Sequence, residues 1–131
     1  MDKLAWAQEF FKDDGYSVKT NGIVIEEVEP DYAVCSMKVD EKHKNRNGVV
    51  MGGAIFTLAD FAFAVASNAA HVPTVTLNAN ITYLVPAVCE KLTAKALCER
   101  SGLGSCAFRV EVTDEKGTMI AVAAMTGYRK Q

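Results

Sequence analysis

Apolar positions recur along this chain at two spacings, and the change from one to the other divides it. In residues 3–13 (KLAWAQEFFKD), Leu4, Ala7, Phe10 and Phe11 fall at helical spacing, which predicts a short amphipathic helix stopped by Gly15. From Gly22 to Val39 the stretch GIVIEEVEPDYAVCSMKV alternates around a Pro30-Asp31 turn signal and reads as a hairpin. The polar, aperiodic segment EKHKNRNGVVMGG is a loop that runs into GGAIFTLADFAFAVASNAA, residues 52–70, a helix apolar on nearly every side. After His71 and Pro73 the period becomes two and stays so. TVTLNANITYLVPA, EKLTAKALCERS, CAFRVEVTDE and GTMIAVAAMTGYRK read as four strands, turned at Pro86, at Gly102–Gly104 and at Glu115–Gly117. Helix, two strands, long helix and four strands together predict an α+β fold: an antiparallel β-sheet wrapped around one long central helix.

Length and composition narrow the picture. The 131 residues suffice for one hydrophobic core, so residues 1–131 are read as a single domain. A net charge of −2, with no long Lys/Arg cluster, gives nothing to neutralise a phosphate backbone, and nucleic acid is not an expected partner. The 52–70 run is long enough to suggest a membrane span, but it contains Asp60, Ser67 and Asn68, which favours a buried helix and no membrane partner. Cys35, Cys89, Cys98 and Cys106 lack the close spacing of zinc or redox pairs. Reduced, packed thiols and a cytoplasmic location are the expectation, since the N-terminal residues do not have a leader profile. No P-loop, dinucleotide fingerprint or metal-ligand set is present, so neither a metal nor a separate cofactor is expected.

The candidate chemistry centres on Asp60. It lies within about 40° of Phe56 around the helix and near Phe63 and Ala64, so it shares the apolar stripe. Such a carboxylate either pairs with a cation or caps a neighbour, or else it is a desolvated base or nucleophile; both readings stay open. At the helix start, Gly52 and Gly53 have no side chains and present unpaired N–H groups at the positive end of the helix dipole, where an oxyanion can be held. Asn45, just upstream, is either a side-chain donor beside them or a turn residue. Eight residues separate Gly52 from Asp60, about 12 Å of helix. One reacting carbon cannot touch both in one chain, whereas an antiparallel second copy would bring Asp60 of one chain to Gly52 of the other. A homodimer with two interface sites follows if both residues function.

NRNGVVMGGAIFTLADFAFA followed by TVTLNANITYLVPA resembles the hotdog-fold acyl-CoA thioesterases, in the phenylacetate-pathway (PaaI-like) branch, over roughly residues 20–129. The resemblance implies hydrolysis of an acyl or aryl-acyl coenzyme A thioester, with coenzyme A part of the substrate. It makes Asp60 the base or nucleophile, the Gly52 N–H the group that polarises the carbonyl, and Asn45 a residue that orients the reacting group. It sets Thr76, otherwise a plain strand residue, where a hydroxyl helps to hold water or the carboxylate. Met51 stands where the family pattern has His, so that Met51 and Gly53 line the substrate and an imidazole hydrogen bond is missing. Arg100, Ser101 and Gly102 lie at the turn that meets the nucleotide end of coenzyme A in such folds; the alternative is an ordinary solvated turn. A homodimer, assembled further into a homotetramer, is implied. Two other readings are a non-catalytic acyl-CoA binder, favoured by Met51, and a hotdog hydratase or dehydratase. The latter needs a His base, and His43 and His71 match no catalytic position and are expected at the surface.

Overall fold

The computed structural model describes residues 2–131. Helix α1 (Lys3–Phe11) begins at Asp2, whose carboxylate accepts the Ala5 N–H at 2.7 Å. The hairpin β1 (Val24–Glu29) and β2 (Tyr32–Lys38) turns at Asp31, with φ of 62°. A 3-10 turn (Glu41–His43) precedes the central helix α2 (Gly52–Ala70), and strands β3 (Thr74–Tyr83), β4 (Lys91–Ser101), β5 (Ser105–Asp114) and β6 (Met119–Arg129) complete the chain. All strands pair antiparallel in the order β1-β2-β4-β5-β6-β3. This is the arrangement expected from the sequence, with α2 held in the curve of the sheet.

The sheet closes on the helix because its inner face is lined with small residues. Ala33 of β2, Ala94 and Ala96 of β4, and Ala121 and Ala123 of β6 are buried, and Leu58, Phe61, Phe63 and Val65 of α2 fill the space they leave. The helix is long and apolar enough to cross a membrane, yet it is mostly enclosed here. One narrow strip, carrying Phe56, Thr57, Asp60 and Ala64, stays half-open.

Three details depart from expectation. Gly15 does not merely end a helix: it opens a π-helical turn (Gly15–Thr20) capped by Asp14, which accepts the Ser17 N–H at 3.0 Å. Strand β3 ends at Tyr83 rather than Ala87. Its pairing with β6 stops there, and the chain crosses over so that the Ala87 carbonyl accepts the N–H of Val50 at 3.0 Å. Arg129, at the end of β6, is only 2% exposed. Its guanidinium donates to Asp31 at 2.8 Å, to the Ser67 carbonyl and the Thr74 hydroxyl, and to Ser101 and the Gly102 carbonyl. It thereby ties the β1–β2 turn, the C-terminal end of α2 and the β4–β5 turn together.

Candidate active site

The N-terminal end of α2 is built as an open set of donors. Met51 is its N-cap and supplies no side-chain bond, and among the described residues the N–H groups of Gly52 and Gly53 have no acceptor. Tyr83 lies across this end: its hydroxyl donates to the Gly52 carbonyl at 3.0 Å, and its ring is 3.0 Å from where a Cβ on Gly52 would be. Gly52 is therefore a glycine for want of room, in addition to any ligand it receives. Tyr83 was not singled out in the sequence, where it reads as one more strand aromatic. A cleft of about 390 Å³ opens here, lined by Val49, Gly52, Ile55, Tyr83 and Val85 among others. Met51 is 48% exposed beside it, with its Cε 3.3 Å from a Cβ built on Gly53.

Asn45 forms a turn. Its Oδ1 accepts the N–H groups of Asn47 at 2.9 Å and Val49 at 3.3 Å, which leaves the amide nitrogen as its free donor.

Asp60 lies two turns further along α2, and no Lys, Arg or His among the described residues pairs with it. Its one side-chain partner among the described residues is the Thr76 hydroxyl, which donates at 3.4 Å from β3, the carboxylate-holding alternative for Thr76 rather than that of a plain strand residue. The ion-pair reading of Asp60 is removed. Desolvation raises its carboxyl above the ordinary Asp value, the Thr76 hydrogen bond opposes this, and the charge of Asp14 adds to it. A correction applies to its setting. Asp60 does not share the buried face with Phe63; it belongs to the half-open strip with Phe56 and Ala64. The helix is apolar nearly all round, so phase alone did not reveal which side the sheet leaves uncovered.

Arg100, Ser101 and Gly102 do not join these groups within one chain. They line a separate cleft of about 450 Å³ at the far end of α2, with Ala70, His71 and Arg129. Ser101 Oγ accepts from Arg129 at 3.0 Å, and Gly102 N–H donates to the Ser105 carbonyl at 2.9 Å, so both also serve the turn itself.

The two histidines differ. His71 is half-buried rather than fully at the surface, with Nε2 at 2.8 Å from the Lys130 carbonyl oxygen. His43 contradicts the expectation of a surface residue: it is 1% exposed. Flanking Lys42 and Lys44 disguised it, because the 3-10 turn directs their side chains outward and the imidazole inward. The cysteines fit a packing role. Burial pushes the Cys35 thiol up to about 12 and raises Cys89, Cys98 and Cys106, so all four are poor nucleophiles at neutral pH. Among the described residues no group of three or more His, Cys, Asp or Glu is placed to hold a metal.

Comparison with known proteins places the family and the fold. The sequence model of the thioesterase superfamily matches residues 47–121. Acyl-coenzyme A thioesterase PaaI of Escherichia coli is 29% identical over 125 residues, covering 93% of this chain and 89% of that protein. The solved structure of E. coli PaaI superposes with a TM-score of 0.91 at 25% identity, over 98% of this chain and 94% of that one. Acyl-coenzyme A thioesterase 13 of mouse is 30% identical over 115 residues, 85% of this chain and 82% of its own. A hypothetical thioesterase protein from Streptococcus pneumoniae, solved with coenzyme A, superposes at a TM-score of 0.84 with 26% identity, over 92% of this chain and 96% of its own.

Proposed function

Because the chain belongs to the thioesterase superfamily and has the hotdog fold, we propose that it hydrolyses an acyl-coenzyme A thioester to the free acid and coenzyme A. The observation that carries this reading is the half-buried Asp60, without a cation and raised by desolvation, with a single hydroxyl to orient it. A carboxylate in that state is a stronger base than one in water. In the proposed reaction the Gly52 N–H receives the thioester oxygen, with the Asn45 amide beside it. Asp60 takes a proton from water as the water oxygen bonds to the carbonyl carbon. The carbon–sulfur bond then breaks, and coenzyme A leaves as a thiolate that takes up a proton. Attack by Asp60 itself, followed by hydrolysis of the anhydride, gives the same products.

The site is proposed to form between two copies in a homodimer. About 12 Å of helix separates Gly52 from Asp60, too far for one carbon. The half-open strip of α2 and the exposed edge strand β3 supply the surfaces for a second copy. Antiparallel helices would also set the Arg100–Gly102 turn of one chain near the Gly52 end of the other, where it would receive the nucleotide part of coenzyme A. The uncharged outer face of β3 and β6, with Asn78, Asn80, Ala124 and Thr126, favours pairing of dimers into a tetramer. The free thiols accord with a cytoplasmic setting.

Incubation with an acyl-CoA panel and a thiol reagent tests the activity. Free thiol should appear with the wild type, and Asp60→Asn should lower turnover by at least about 100-fold while coenzyme A binding persists. Binding without thiol release would identify a non-catalytic acyl-CoA binder instead.

A further inference from the structure

His43 takes no part in the chemistry above, yet it stands two residues before Asn45 and its ring is enclosed. Its Nδ1 accepts the Asp40 N–H at 3.1 Å, closing the capping box of the 3-10 turn, and this acceptor role puts the proton of the neutral ring on Nε2. Among the described residues Nε2 is buried without a hydrogen-bond partner. The backbone carbonyl of His43 accepts the Met51 N–H at 2.8 Å, directly before Gly52. Between these two bonds the chain is cross-braced. Lys44 and Val50 form an antiparallel bridge, Asn45 N–H donates to the Val49 carbonyl at 2.8 Å, and the Asn45 side chain holds Asn47 and Val49. The loop carrying Asn45 and the start of α2 are thus one braced unit, anchored at one end by the His43 imidazole and at the other by the Ala87 carbonyl, which accepts the Val50 N–H.

We infer that His43 is a positioning residue of the proposed thioesterase site, its buried ring locking the 40–51 loop so that the Asn45 amide and the Gly52 N–H stand in fixed relation. The kinetic part of this inference rests on the thioesterase reading; the structural part does not. The charged groups facing the ring are on its own turn: the Asp40 carboxylate, 3.6 Å from Nδ1, and Lys42, which is bonded to Asp40 at 2.9 Å. From the rest of the fold, the backbone of Asn21 reaches it. Burial is the largest influence and holds the imidazole below its ordinary value, ahead of the opposing Asp40 charge. Protonation would set a second N–H, on Nδ1, against the Asp40 N–H. The folded form takes up that proton less readily than the unfolded chain, so the lock is complete above the ordinary His range and is lost as pH falls below it.

Two substitutions test the assignment. Gln at the third position of a capping box is an ordinary acceptor that does not titrate, whereas Leu fills space and accepts nothing. His43→Leu should lower kcat by about 10- to 100-fold with KM unchanged, the size expected for misplaced catalytic groups, and His43→Gln should recover most of that loss. Amide hydrogen exchange at Val49 and Met51 should be fast in His43→Leu. It should be slow in His43→Gln at weakly acidic pH, where the wild type begins to open. A folded His43→Leu with wild-type exchange and kcat, or a His43→Gln as defective as His43→Leu, would overturn the inference. If His43→Leu does not fold, exchange in His43→Gln that rises with acid as steeply as in the wild type overturns it. If the wild type shows no thioesterase activity, the exchange measurements still decide the positioning role.

Discussion

A carboxylate held half-buried with one hydroxyl partner is costly to ionise, and the cost has a testable sign. The raised pKa of Asp60 means that the folded chain binds this proton more tightly than the unfolded chain does. Its contribution to stability is full below the unfolded value and falls as pH rises through the folded one. Asp60→Asn should therefore raise Tm at neutral pH while lowering turnover by at least about 100-fold, and the gain should vanish in melts run below the ordinary Asp range. Gly52 and Tyr83 form a second residue-scale case. A Cβ at Gly52 would meet the Tyr83 ring at 3.0 Å, so Gly52→Ala should displace the half-exposed ring and weaken its bond to the Gly52 carbonyl, at a cost of about 0.5–1.5 kcal/mol. The cost should be smaller in a Tyr83→Ala background, read from urea unfolding of the four proteins in the cycle. At this scale the sequence spoke through incongruity: Asp60 was legible because it interrupts an apolar run, and the Gly pair because it opens one. Tyr83 was hidden by its agreement with a strand pattern, and His43 by its lysine neighbours.

Element by element, period two was sufficient to locate the strands, and burial alternates most plainly along β4, β5 and β6, whereas β2 is buried at nearly every position and β3 is largely exposed. Periodicity said less about α2. A helix enclosed by a curved sheet is apolar on most sides, and only coordinates distinguish the half-open strip of Phe56, Asp60 and Ala64 from the rest. The π-helical turn and the Arg129 hub left no periodic trace, since both depend on contacts distant in sequence: Arg129 and Asp31 are 98 residues apart. That pair gives the prediction at this scale. Asp31→Ala strands the enclosed Arg129 charge and should cost about 3–5 kcal/mol in urea unfolding, whereas Arg129→Met leaves Asp31 partly exposed at its turn and destabilises chiefly by removing the hub's other hydrogen bonds. The double variant should cost less than the two singles together.

For the whole molecule, the proposed shared site makes a prediction that no single-chain site can meet. Asn45→Ala and Asp60→Asn proteins should each be nearly inactive, because each damages both sites of its dimer. Refolded together in equal amounts, half of the dimers pair one of each and hold one intact site, giving about a quarter of wild-type activity. Mixtures no more active than their components, with exchange of subunits verified, would return Asp60 to its own chain. Strand β3 carries the last consequence. It is ten residues long, lies at the sheet margin, and shows Leu77 at 63% exposure on a bulge. A chain without its proposed partner presents that margin to any other extended chain. Dilution, more than warmth, then becomes the hazard for this protein: scarcity of copies would open the seam that abundance keeps shut, and its melting point should climb with its own concentration.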